Sequence, residues 1–131
     1  MRPAPVVLAI LRAALPEVFV VSVIPDVDHR RYPLVAVRRV GGVRHPRRPT
    51  LLAFPEIELT AVSADSLVDA ELLYENALEA LYAAVSAQTV VYGAGCLHSL
   101  TEAQGATDVG SPFPDTWAVQ GTVQIGVRPA L

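Results

Sequence analysis

The sharpest pattern in the chain is the alternation near its end. In TWAVQGTVQIGVR, residues 116–128, Trp117, Val119, Val123, Ile125 and Val127 fall on one face. Ala118, Gln120, Thr122, Gln124 and Arg128 fall on the other, the period of two of a strand with one buried side. EIELTAVS, residues 56–63, repeats the rhythm with Ile57, Leu59 and Ala61 against Glu58 and Thr60. Between these stretches the period lengthens. Leu67, Ala70, Tyr74, Ala77, Leu78, Leu81 and Val85 recur at helical spacing, which predicts one long helix over about 65–87. Ser66, with Asp69 three residues on, supplies a capping pair for its start. Leu73, Ala80 and Ala84 are apolar outside that stripe, so this helix is expected to touch something beyond its own sheet.

The first third of the chain is less regular. Pro3 and Pro5 suit the opening turn of a helix, Val7, Ile10, Leu11 and Ala14 form its stripe, and Pro16 ends it. VFVVSVI, residues 18–24, is β-branched and unbroken, so it predicts a strand buried on both sides. PDVDHRRYP is a turn by composition. LVAVRRV, residues 34–40, predicts a second strand, stopped by Gly41-Gly42. CLHSLTEAQ, residues 96–104, reads as a weak strand and GATDVGSPFPD, residues 105–115, as a loop. The expected order is helix, three strands, long helix, two strands. Short connections of this kind imply an α+β fold with a mostly antiparallel sheet of four or five strands. One long and one short helix would pack against it, in a single domain over 1–131, with Trp117 in the core.

Composition narrows this picture. With 131 residues, 52% hydrophobic and 18% charged, the chain is long enough for a real core and too apolar for disorder. Arg12 and then Pro16-Glu17 break the apolar start, which therefore reads as a short amphipathic helix and not as a signal peptide. No apolar stretch reaches bilayer length, so a soluble protein without a membrane partner is expected. The single Cys96 allows no internal disulfide and suits a reducing compartment.

Charge is where the chain becomes uneven. The net charge of -3 excludes a surface built wholly for nucleic acid. Yet Arg30, Arg31, Arg38, Arg39, Arg44, Arg47 and Arg48 lie between Asp28 and Glu56 with no acid among them. Such a split suits contacts with a partner or with further copies. VRRVGGVRHPRRP, residues 37–49, is its densest part. It is no phosphate loop: Pro46 and Pro49 bar a helix directly after the glycines, and the stretch itself holds no Lys and no Ser/Thr. It has no aromatic residue to stack on bases. A subunit-contact loop, a solvated loop and a nucleic-acid arm remain as readings, with the long connection from Gly41 to Pro55 favouring contact.

Other groupings are weaker. Asp26, Asp28 and His29 lack a second cluster that would complete a metal shell. Cys96 and His98, two apart, would share one strand face as a nucleophile pair, but no acidic orienter or oxyanion motif accompanies them. Glu71, Glu75 and Glu79 form the solvated row of the long helix. Nothing assembles nucleophile, base and oxyanion site together, so no enzyme is expected.

Three stretches carry a resemblance: YPLVAVRRVGG, RPTLLAFPEIELTAVSAD and HSLTEAQGATDVGSPFPDTWAVQGTVQIGVRP. In these phrases, and in the order of its elements, the chain resembles the tail terminator proteins of actinobacterial siphophages, neck proteins of the lambda tail-terminator type. The lysine-free composition fits a GC-rich host. The resemblance implies a structural virion protein, assembled in the host cytoplasm, that closes into a ring, usually a hexamer. It would cap the tail tube, halt polymerisation and meet the head–tail connector, with no cofactor and no metal. Its partners would be further copies, the tail tube protein and the connector, with transient DNA in the lumen. Arg38, Arg39, Arg44, Arg47 and Arg48 would then serve a subunit interface or the lumen, with Arg38 and Arg39 on opposite strand faces. The alternatives are a head-completion or connector protein, a DNA-binding protein, and a small cytosolic enzyme or ligand-binding domain using Cys96 and His98.

Overall fold

The structure is a computed structural model and describes residues 1–130. Helix α1 (Pro3–Ala14) is followed by β1 (Phe19–Val21), a single 3-10 turn over 27–29, β2 (Leu34–Arg44), β3 (Ala53–Ser63), helix α2 (Leu67–Ala87), β4 (Val90–Val91), β5 (Gly95–Gly110) and β6 (Trp117–Arg128). The strands form one six-stranded sheet in the order β1-β2-β3-β6-β5-β4. All pairings are antiparallel except that of β1 with β2. The fold is α+β, as expected, with one strand more than the four or five anticipated. No helix among the described residues is long and apolar enough to cross a membrane.

Both helices cover one side of the sheet. Val6, Val7, Leu11, Tyr74 and Leu81 interlock there with Val35, Val37, Ile57, Leu59, Val123 and Ile125. The alternation read in β3 and β6 is what aims these residues inward. In α2, Ser66 Oγ accepts the Asp69 amide at 3.1 Å, as the capping pair required. Leu73 and Ala84 are buried, because α2 packs on α1 as well as on the sheet. On the other side a small cluster of Leu34, Val62 and Ala118 lies under Phe19, Ile24 and Tyr32. Gln120 and Thr60 make that side partly polar, Gln120 Nε2 donating to Thr60 Oγ1 at 3.0 Å.

Several expectations need correction. The strand read over 18–24 is three residues long and only Val20 is buried. It is an edge strand laid parallel to Leu34–Ala36, and Val23 beyond it is exposed. Gly41-Gly42 does not stop β2. It forms a bulge between Arg39 and Gly41, and the strand runs on to Arg44. Gly42 has φ +94°, and a Cβ there would collide with the backbone of Phe54 and Pro55, so a bulge this tight demands glycine. The stretch 105–110, read as loop, belongs to β5, which tolerates turn-forming residues by shifting register four times along β6. Trp117 is 36% exposed at the sheet's end and is not a core residue.

One core group carries a pH signature. Tyr74 is buried on α2, and its hydroxyl has no hydrogen-bond partner among the described residues. Burial, with the carboxylates of Glu102 and Glu75 and the Tyr82 hydroxyl nearby, pushes it up from 10.0 to about 12. An acid whose folded value lies above its unfolded one leaves stability intact below the unfolded value. Stability then falls as pH rises from the unfolded to the folded value. This group should therefore leave the unfolding free energy unchanged up to about pH 10 and then lower it by at most about 1.4 kcal/mol per pH unit towards pH 12. Tyr74→Phe should remove most of that slope; an unchanged slope would contradict the assignment.

Candidate assembly interface

The arginine-rich stretch is a hairpin. β2 and β3 pair from Leu34↔Val62 to Arg44↔Ala53, so the connection spans only 45–52 and not the fifteen-residue span from Gly41 to Pro55 read in the sequence. The tip is tied to itself. His45 N donates to Leu52 O at 2.9 Å, and the Leu51 and Leu52 amides both donate to Arg48 O at 3.1 Å. The His45 Nδ1 accepts from the amides of Arg47 and Arg48 at 3.1 and 3.2 Å. By accepting two amides, Nδ1 makes the ring a fastener for the tip. Pro46 and Pro49, which lack amides, occupy positions where no donor is needed. These bonds make an ordered platform that holds Arg44, Arg47 and Arg48 outward.

The remaining arginines divide by what they touch. Arg12 donates twice to Val20 O, at 3.1 and 3.0 Å, and clips β1 to α1. Arg30 donates to Pro25 O and lies 3.8 Å over the Phe113 ring, and Arg31 lies over Phe19. Arg128 donates to Gln88 Oε1 at 2.9 Å. Of the seven clustered in sequence, then, Arg30 and Arg31 serve the fold. Arg38 pairs with Glu58 at 3.5 Å, the one ion pair among the described residues. Its register opposite Glu58 places it on the helix-free side of the sheet, whereas Arg39, opposite Ile57, and Arg44, opposite Ala53, lie on the helix side. Arg39 and Arg44 border a shallow depression with Met1, Pro3, Pro49 and Thr50. The structure thus gathers Arg39, Arg44, Arg47 and Arg48 at one corner of the molecule and separates Arg38 from them. Leu51 is exposed on the same hairpin tip, giving the corner apolar as well as cationic surface.

Cys96 and His98 do not form a pair. A register shift between Leu97 and Ser99 leaves His98 outside the ladder, and its Nδ1 lies 3.2 Å from Gln88 Oε1. Cys96 is buried, with Sγ 3.5 Å from Gln88 O. Asp26, Asp28 and His29 are exposed on the 3-10 turn. Among the described residues no group of three acidic, histidine or cysteine side chains is gathered as a metal shell would be.

Sequence reasoning missed the two open edges of the sheet. β1 pairs with β2 only over Leu34–Ala36, and β4 pairs with β5 only over Gly95–Cys96. Beyond those pairings β2 and β5 each present an outer edge with no partner strand among the described residues. Asp108, on the β5 edge with Glu102, falls in the stretch that reads as loop in the sequence.

Against known proteins, a family model described as phage tail termination protein matches residues 1–131. The chain is 46% identical over 114 residues to the Gene 22 protein of Mycobacterium phage L5, covering 87% of this chain and 81% of that one. It is 43% identical over 129 residues to the Gene 22 protein of Mycobacterium phage D29, covering 97% and 92% respectively.

Proposed function

Since the chain belongs to the phage tail termination family, we propose that it closes into a ring that caps the finished tail tube. The ring ends polymerisation and offers the head connector a surface to join. It is hexameric, sits at the neck of a siphovirus virion and is put together in the host cytoplasm. The family match across the whole chain carries this reading. The outward arginine corner supports it, because a terminator acts by contact and needs a fixed, charged surface more than a pocket. Arg39, Arg44, Arg47 and Arg48 reach a neighbouring subunit or the next ring. Arg38, on the helix-free side, belongs to a different surface, and DNA crosses the lumen without being held.

The experiment that tests this is removal of the gene from its phage, followed by measurement of tail lengths. Overlong tails without heads are expected. Tails of ordinary length beside unattached heads would instead make the protein a connector.

A further inference from the structure

We propose that neighbouring copies join edge to edge, the outer edge of β2 beyond Ala36 in one copy pairing with the outer edge of β5 beyond His98 in the next. This rests on the ring reading and names the surfaces that build the ring. Unpaired edges are the most adhesive parts of a sheet, since their amides and carbonyls line up for another strand. Here the two edges lie on opposite margins of the sheet. Residues 38–40 and 42–44 of β2 and 101–110 of β5 are exposed. β2, β3, β6 and β5 alternate in direction, so β2 and β5 are antiparallel. Copies set side by side in one orientation would therefore extend an antiparallel ladder.

Charge says which edges meet. On the helix side the β2 edge carries Arg39 and Arg44, opposite Ile57 and Ala53, four β3 residues apart. On the same side the β5 edge carries Glu102 and Asp108, opposite Val123 and Val119, four β6 residues apart. Each pair thus spans about 13 Å at the usual strand rise. In an antiparallel ladder Arg44 meets Glu102 while Arg39 meets Asp108. Each carboxylate has an oxygen to spare: Glu102 uses Oε2 towards Tyr82 and Asp108 uses Oδ1 towards the Gly110 amide.

Two β2 edges would set arginine against arginine, and two β5 edges carboxylate against carboxylate. The charges therefore refuse the symmetric dimer and select the head-to-tail contact that generates rings. Within one copy Arg39 and Glu102 lie at the same level, through Ile57 and Val123. Joining Arg39 to Asp108 then offsets neighbours by about 13 Å over four strands, a tilt of about 35°, the stagger that closed sheets adopt.

Charge reversal in the phage tests the pairing. One double variant is Arg39→Glu with Arg44→Glu, and the other is Glu102→Arg with Asp108→Arg. Each should lose tail termination and plaque formation, with the purified subunit still folded by circular dichroism. Combining all four restores opposite charges at every junction and should restore plaques. Doubles that behave as wild type, or a quadruple no better than either double, would overturn the pairing. A variant bearing Arg44→Cys and Glu102→Cys should also cross-link into multimers in oxidised virions, and monomers alone would count against it. Failure of the ring reading looks different: ordinary tails would then form without the gene at all.

Discussion

Replacing Arg44, Arg47 and Arg48 together by glutamate is expected to leave the subunit folded and to abolish its assembly. All three side chains are exposed and none makes an ion pair among the described residues, so each substitution should change stability by no more than about 0.5 kcal/mol. The bonds that shape the tip come from backbone amides and His45 Nδ1, which the substitutions leave in place. At a contact the effect is larger. A cation that meets a carboxylate at an exposed rim contributes about 0.2–1 kcal/mol, and like charges opposed there cost several. A ring repeats that loss at every junction. Thermal melts of the triple variant should match wild type, while complementation of a phage lacking the gene fails. Normal complementation would remove the hairpin tip from the interface. Replacing only Arg47 and Arg48 should give a milder defect that worsens with salt if the contact is chiefly ionic.

The second large effect belongs to the core. Gly121, in the middle of β6, faces the Tyr74 ring, and a Cβ there would land on the Tyr74 hydroxyl and close to its Cζ and to Gln104 O. Tyr74 is 1% exposed and cannot swing into solvent. Gly121→Ala should therefore cost about 1–3 kcal/mol through overpacking, read as a lower urea midpoint at unchanged slope. Tyr74→Phe removes the orphaned hydroxyl and should be close to neutral by itself. Combined with Gly121→Ala it should recover part of the loss, because the ring carbon stays in the way. Strict additivity of the two changes would mean that they do not touch. The close approach also explains a glycine in mid-strand, where it otherwise weakens a sheet.

These two sites show how far the sequence could be read. The period of two in β3 and β6, and the helical stripe of α2, follow from one-sided burial, and both hold apart from Trp117, exposed at the sheet's end. Gly121 belongs to the inward set of β6 by its parity, yet only the position of Tyr74 reveals why it must be small. Gly41-Gly42 looked like a stop because a local glycine pair ends strands as often as it bends them. The pairing of Arg44 with Ala53, a tertiary fact, decided for the bend. The half of β5 beyond Gln104 was illegible for a related reason. An edge strand buries almost no side chains, so no alternation is imposed on it, and its exposure is visible only once β6 lies beside it. The arginine cluster was legible as charge but not as geometry. Strand parity already set Arg38 and Arg39 on opposite faces, but register was needed to show that Arg39 shares the helix side with Arg44. Packing alone diverted Arg30 and Arg31 to Phe113 and Phe19.

The central claim is that this protein decides where a tail ends. Its most direct measurement is the distribution of tail lengths, by negative-stain electron microscopy, in cells infected with phage lacking the gene. Overlong tails of variable length, detached from heads, and a return to uniform length when the gene is supplied in trans, are what the account predicts. Tails of uniform, ordinary length in the absence of the protein would contradict it.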